Sequence, residues 1–339
     1  MKKILLMFML ICLLAACSTK ENTPDAKTVY KIGICNYVDD ASLNQIVENI
    51  EKGLDDIEKE NNVEFDVRYD NANADSNVMN QIITNFIYDE VDLMIGIATP
   101  VAITMQTLTE ENQIPVVFAA VSDPEGVSLV DCNTNPGHNI TGTSDYLDTN
   151  AIINLMKVFM PELKKVGLLY DLGQDSSTGA INDAKKILND MGIEVVEKTG
   201  TNVEEIRLAC QSLINENVET IFTPSDNTVM TAELSIYEDL MNAGILHYTG
   251  ADSFALNGAF LGYGVDYANL GYETALMVKD ILIDGKDVST LAVKTFDNGI
   301  ATINTDVCEK LGYSFDELAE MFKPYCTSVQ AIKTAESFE

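Results

Sequence analysis

Thr-Pro occurs twice at the same kind of junction, as Thr99-Pro100 and Thr223-Pro224, where an apolar run gives way to helical spacing. Threonine suits a helix N-cap, and proline suits the first helical position, where no backbone N–H is needed. Each junction should bring a helix N-terminus, with unpaired donors and a positive dipole end, to the C-terminal edge of a strand. That chemistry suits a carboxylate or similar anion. One such corner is adequately explained as strand-to-helix wiring, but its duplication favours binding. Further polar groups stand at comparable places: Thr99 offers a hydroxyl, Ser122 ends the fourth strand, and Ser176 and Ser177 open a later helix. An ammonium buried with that carboxylate would need an acid of its own. Asp226, directly after Thr-Pro-Ser, is the first choice, with Asp123 and Asp266 behind it, although Asp226 reads equally as a helix cap. Tyr37, near the end of the first strand, could stack on an aromatic ligand or pack on its own surroundings.

No catalytic kit accompanies these residues. The chain has no G-x-S-x-G elbow, no G-x-x-x-x-G-K-[ST] phosphate loop and no H-E-x-x-H pair. "GYGVDYANLG" starts as G-x-G, but Tyr267 stands where the third glycine of a dinucleotide site would be. The only histidines, His138 and His247, lack partners at metal-ligand spacing and are expected at the surface or in turns. Neither an enzyme, a cofactor nor a metal is expected. A net charge of −32 argues against nucleic acid and against electrostatic adhesion to anionic headgroups.

The elements that must position the corners follow from periodicity. After "MKKILLMFMLICLLAAC", apolar behind two lysines, residues 1–16 read as an export signal and Leu14-Ala15-Ala16-Cys17 resembles a bacterial lipobox. Cys17 would then be lipidated, residues 17–29 would form a tether, and the protein would sit on the outer face of the cytoplasmic membrane. "YKIGICNYV" is a strand, Ala41–Ile57 a helix, "VEFDVRYDNA" a strand, Val78–Tyr88 a helix, Leu93–Ile97 a strand, and "IPVVFAAVSDP" a fourth. From Lys165 the same order starts again, with helices at Thr178–Asp190 and Val203–Asn215. Two α/β units with doubly wound parallel sheets are expected, and ligands of such sheets bind beyond the carboxyl ends of the strands. Cys35 and Cys210 suit small core positions, and a Cys308–Cys326 disulfide stays open.

Several stretches carry a resemblance: "IGICNYVDDASLNQIVENIEKGL", "VDLMIGIATPVAITMQ", "IPVVFAAVSDPEGVSLV", "GHNITGTSDY", "TPSDNTV" and "NGAFLGYGVDYANLGYETALMVKDIL". From about Tyr30 to Gly312 the chain resembles the ABC-transporter substrate-binding lipoproteins that include tryptophan- and tyrosine-binding members. The resemblance implies a type I periplasmic-binding-protein fold, two Rossmann-like lobes joined by three crossovers and closing on a small molecule. It places the N-terminal lobe at 30–143 plus 265–295, the C-terminal lobe at 144–258 plus 300–325, and a tail at 326–339. It implies delivery to permease and ATPase subunits, with an amino acid as the solute, aromatic ones favoured; a receptor for a nucleoside or other small solute and a sensor for a signalling partner are the alternatives. Asn227 follows Asp226 in the motif. Where the family often has Gln, Phe and Glu-His, this chain has Asn36, Tyr37 and Asp39-Asp40, positions that the resemblance puts along the cleft.

Overall fold

Alternating apolar strands and amphipathic helices give two separate sheets. In the computed structural model, which describes residues 27–338, β1 (Thr28–Asn36) leads to α1 (Ala41–Asn61), β2 (Val63–Asn71), α2 (Ser76–Tyr88), β3 (Leu93–Ile97), α3 (Thr99–Thr109), β4 (Val116–Ala119) and β5 (Ile140–Thr143). These strands form one all-parallel sheet in the order β2-β1-β3-β4-β5. The export signal and Cys17 lie outside the described residues, and no described helix is long and apolar enough to cross a membrane.

The second lobe starts with α4 (Thr149–Phe159) and runs through β6 (Lys165–Tyr170), α5 (Asp175–Asp190), β7 (Glu194–Thr199), α6 (Val203–Asn215), β8 (Thr220–Thr223), α7 (Asn227–Ala243), β9 (Leu246–Thr249), α8 (Asp252–Leu256) and β10 (Leu261–Gly264). Then α9 (Tyr267–Leu282) returns to the first lobe and packs along α1. A Cβ at Gly53 of α1 would stand 2.6 Å from that of Ala275, so only glycine permits this approach of the two helices. Lys294 bridges beside Thr143 at the edge of the first sheet before the chain re-enters the second through β11 (Ile300–Asn304). The second sheet runs β12-β11-β10-β9-β8-β6-β7, parallel except between β10 and β11.

Local chemistry explains the boundaries. Asp40 caps α1 by accepting from Ser42 and Leu43 N–H, and Leu43, Ile46, Val47, Ile50, Leu54 and Ile57 bury one face of that helix. The C-terminal part of the chain holds two short helices and a strand, and the strand corrects one expectation. "CEKLGYSFDELAEMF" forms two helices, α10 (Thr305–Leu311) and α11 (Phe315–Phe322), because Gly312 turns the chain at φ 79° and Ser314 caps the second. Residues 326–339 are more than a tail, since β12 (Ser328–Ile332) adds an edge strand beside β11. There an exposed, alternating strand lacked the apolar run that marks the inner ones. Cys308 and Cys326 are unpaired thiols, and Cys35 and Cys210 are buried.

Candidate functional site

The C-terminal edges of both sheets face one cleft, and the first lobe reaches it through strained backbone. A single residue, Ala98 at φ 75°, ψ 155°, makes the turn between β3 and α3. That combination is left to glycine in most proteins, and holding alanine there costs on the order of 1–3 kcal/mol. Ala120, just past β4, is also left-handed, at φ 55°. Thr99 is therefore the first helical residue and not the N-cap, and Pro100 is second; no side chain caps α3. The Thr99 Oγ1 is buried, with the residue 1 % exposed, and has no hydrogen-bond partner. An orphaned buried hydroxyl is costly unless something arrives to meet it.

Asp145, which the sequence did not single out, lines the same void as Thr99. It follows β5 at the first crossing between lobes and is 6 % exposed. Ser122 Oγ donates to its Oδ1 at 3.0 Å, and the Tyr267 hydroxyl donates to Oδ2 at 3.4 Å. Burial pushes its carboxyl above the usual range, with the Ser122 and Tyr267 bonds opposing that rise. Among the described residues no cation pairs with it. Ser42, Thr99, Ser122, Asp145, Ser176 and Tyr267 line one void between the lobes, closed down to ≈ 10 Å³, room for about one water. Ser122, Ser176 and Ser225 also line a chamber of ≈ 110 Å³ nearer the mouth, with Asp123 on its rim. A larger hollow of ≈ 560 Å³ beside Gln106, His138 and Asp287 is an open trough on the first lobe; its buried member, Asn139, already donates to Thr109 and Ile114.

The second lobe's corner is built differently. Helix α7 starts at Asn227, three residues beyond Pro224, and Asp226 is its N-cap. Asp226 Oδ1 accepts from Thr228 and Val229 N–H, and Oδ2 from Asp171 N–H at 2.8 Å and Ser177 Oγ at 2.6 Å. Burial raises this carboxyl to about 6 despite those bonds, and the residue is 0 % exposed. Of the two roles left open for Asp226, the structure shows the cap, with both oxygens spent within the lobe. Ser177 turns inward with it, while Ser176 lines the cleft and donates to the Ser225 carbonyl.

The remaining expected residues divide. Asn227 lines the cleft and donates to Gln174 Oε1 at 2.9 Å, and Gln174 donates to the Tyr37 hydroxyl at 3.3 Å, a polar chain across the lobes. Asn36 is buried, donates to Asn44, and leaves its own Oδ1 unpartnered. Asp39 is exposed and accepts from Asn44, and Asp266 is exposed and caps α9, so neither lines the void. His247 corrects the surface expectation: it is buried in β9, with Nδ1 3.1 Å from Glu233 and Nε2 2.8 Å from Thr223. A single histidine in a strand of alternating polarity gives no sign of the glutamate that α7 brings to it. Asp145 could have been found, because it lies just past a parallel strand's C-terminal end, where ligands of such sheets bind.

Comparison with known proteins agrees with this fold. Residues 31–321 match the family described as ABC transporter substrate binding protein, and the chain belongs to that family. It is 28 % identical over 295 residues to the tyrosine-binding protein of Clostridioides difficile, covering 87 % of this chain and 84 % of the relative. Among solved structures, an ABC domain in complex with L-Trp from Streptococcus pneumonia superposes with TM-score 0.81 at 26 % identity, over 90 % of this chain and 100 % of that one. The ligand-free, open structure of a substrate binding protein from Clostridium difficile gives TM-score 0.67 at 28 % identity, over 90 % and 100 %. The fold is that of the type I periplasmic binding proteins, and the chain binds a solute rather than transforming one.

Proposed function

We propose that this chain is the extracytoplasmic, lipid-anchored solute-binding component of an ABC importer, and that its solute is an α-amino acid, with aromatic ones favoured. One observation carries the choice of solute: the buried, cation-free carboxylate of Asp145 shares a void with the orphaned Thr99 hydroxyl at an uncapped helix start. An ammonium on Asp145 and a carboxylate on Thr99 and the α3 N-terminus would satisfy both ends together. The tyrosine-binding and L-Trp-bound relatives support the aromatic preference. Ser122 and Tyr267 would hold Asp145 in place, and Ser176 would approach the ligand from the second lobe.

The lobes must part for entry, since ≈ 10 Å³ admits no amino acid. Better superposition on the L-Trp complex than on the open relative supports reading this conformation as the closed one. Permease and ATPase subunits would take delivery, and lipidated Cys17 would hold the protein at the outer face of the cytoplasmic membrane. Calorimetric titration of the purified chain with L-tryptophan, L-tyrosine and L-phenylalanine tests the ligand. Saturable binding of at least one is expected, and no heat from any of the three would overturn the aromatic reading.

A further inference from the structure

Tyr37 lines neither the deep void nor the chamber at its mouth, although its sequence position left stacking on a ligand open. Its own lobe fixes its place. The Tyr37 carbonyl accepts from Ala74 N–H at 2.8 Å, and the half-buried ring packs on apolar side chains of the first lobe. The hydroxyl is what reaches the second lobe, where Gln174 Nε2 donates to it at 3.3 Å. Burial pushes the phenol upward, the Gln174 bond opposes that rise, and Asp171 and Asp226 add to it. The hydroxyl therefore stands close to the polar network of the second corner.

Gln174 is positioned for this contact. It occupies the N-cap of α5, but its side chain gives that helix no hydrogen bond. Its Oε1 accepts instead from Asn227 at 2.9 Å, which fixes the amide's orientation and turns the NH₂ group toward Tyr37. Gln174 is 6 % exposed, and a buried amide is costly unless it is bonded. The same β1–α1 turn meets the second lobe again at Ser42, whose Oγ donates to Asp252 at 2.6 Å and accepts from Ser253 N–H at 3.1 Å. Tyr37 and Gln174 belong to different lobes, so their bond is made when the lobes meet and lost when they part. We infer that Tyr37 and Gln174 are the clasp of the closed lobes, so that Tyr37 governs how long a solute is held and not which solute is held. The inference rests on reading this conformation as the closed one, and on the amino-acid reading only for its probes.

Stopped-flow release of L-tryptophan, L-tyrosine and L-phenylalanine, with calorimetry for affinity, tests the clasp in Tyr37→Phe, Gln174→Ala and the double variant. Tyr37→Phe keeps the ring and removes only the hydroxyl, so a ring that merely stacked on the ligand would leave release unchanged. Each amino acid that binds should instead leave about two- to tenfold faster, as the loss of one hydrogen bond implies, with the affinity ratios among the three unaltered. Adding Tyr37→Phe to Gln174→Ala should have no further effect, because the two residues share one bond. Unchanged release in Tyr37→Phe, additive effects in the double variant, or altered affinity ratios would overturn the clasp and leave the amino-acid reading standing. If none of the three binds, the amino-acid reading falls and small-angle scattering of the purified chain decides the clasp. Tyr37→Phe should then enlarge the radius of gyration, and an equal radius would overturn the clasp too.

Discussion

The two Thr-Pro corners share a sequence and a place in the topology, yet they differ in how their polar groups are occupied. At the second corner, Ser225 and Asp226 separate Pro224 from α7, and Asp226 accepts four hydrogen bonds from its own lobe. At the first, Thr99 follows the strand directly after a strained Ala98, α3 has no cap, and the threonine hydroxyl has no partner. One corner is complete without a ligand and the other is not. The unpartnered hydroxyl of the first corner is what the proposed amino-acid carboxylate would satisfy.

The largest effect should come from the acid that shares the void of the incomplete corner. If Asp145 holds the ligand ammonium as proposed, Asp145→Asn should weaken amino-acid binding by about 3 kcal/mol or more, over a hundredfold. The unliganded protein should melt no lower than the unmodified one, since a desolvated charge without a cation is removed. Calorimetry together with a melting curve checks both statements; a binding loss of less than tenfold would break the contrast between the corners.

Asp226→Ala should show the reverse. Removing the cap orphans the N–H groups of Asp171, Thr228 and Val229 along with the Ser177 hydroxyl, and should cost about 2–3 kcal/mol of stability. Chemical denaturation measures this. Affinity, determined well below the melting temperature, should change far less than in Asp145→Asn.

Most of this architecture was legible because buried parallel strands are continuous apolar runs and their helices carry a regular apolar stripe. Leu93–Ile97 and Val203–Asn215 have the bounds that periodicity sets. What escaped depends on geometry that composition does not encode. Alanine at position 98 gives no sign of a positive φ, so Thr99 looked like an N-cap. Asp226 and Asp145 are both aspartates near strand ends; which one is satisfied internally depends on Asp171 and Ser177, brought from β6 and α5 by the fold. Edge strand β12 was missed for want of a buried face to signal it.

A third contact, where the lobes meet behind the void, sharpens the comparison through pH. Asp40 and Asp252 are each raised to about 6, chiefly by burial. Ser42 joins the elements, giving its N–H to Asp40 and its hydroxyl to Asp252 at 2.6 Å, and Tyr267 also faces the pair. The folded state holds these protons more tightly than the unfolded chain does. Their contribution to stability is therefore full below the ordinary carboxylate range near 4 and is lost as pH rises through about 6, by about 3 kcal/mol for one group shifted this far. Melting of the ligand-free protein should fall between pH 4 and pH 6.5. Asp40→Asn, which keeps a good N-cap, should flatten that slope; an unaltered slope would remove Asp40 from the account.

Thr99→Val tests the orphan hydroxyl and should move stability and affinity in opposite directions. Amino-acid binding should weaken by about 1–2 kcal/mol if the hydroxyl donates to the ligand carboxylate. The unliganded fold should gain a few tenths of a kcal/mol, because a buried group with no partner is replaced by a methyl of similar shape. Loss of stability with unchanged affinity would assign Thr99 to packing.

The smallest effect concerns the turn that delivers Thr99. Ala98 holds φ 75° and ψ 155°, a region where a Cβ crowds the backbone, so glycine should occupy it without strain. Glycine also gives the unfolded chain more freedom, which offsets part of the relief. Ala98→Gly should leave the unliganded protein about 1 kcal/mol more stable, a rise of about 2–4 °C in melting temperature for a chain of this size. The same substitution should not improve ligand binding: a turn fixed by its surroundings presents the α3 N-terminus ready-made, and a freer one must be ordered when the carboxylate arrives. Higher stability with equal or slightly lower affinity is the expected pair of readings in melting and calorimetry. A lower melting temperature would mean that the Ala98 methyl packs in the core more than it strains the turn, and that the first corner's exposed donors arise from packing alone.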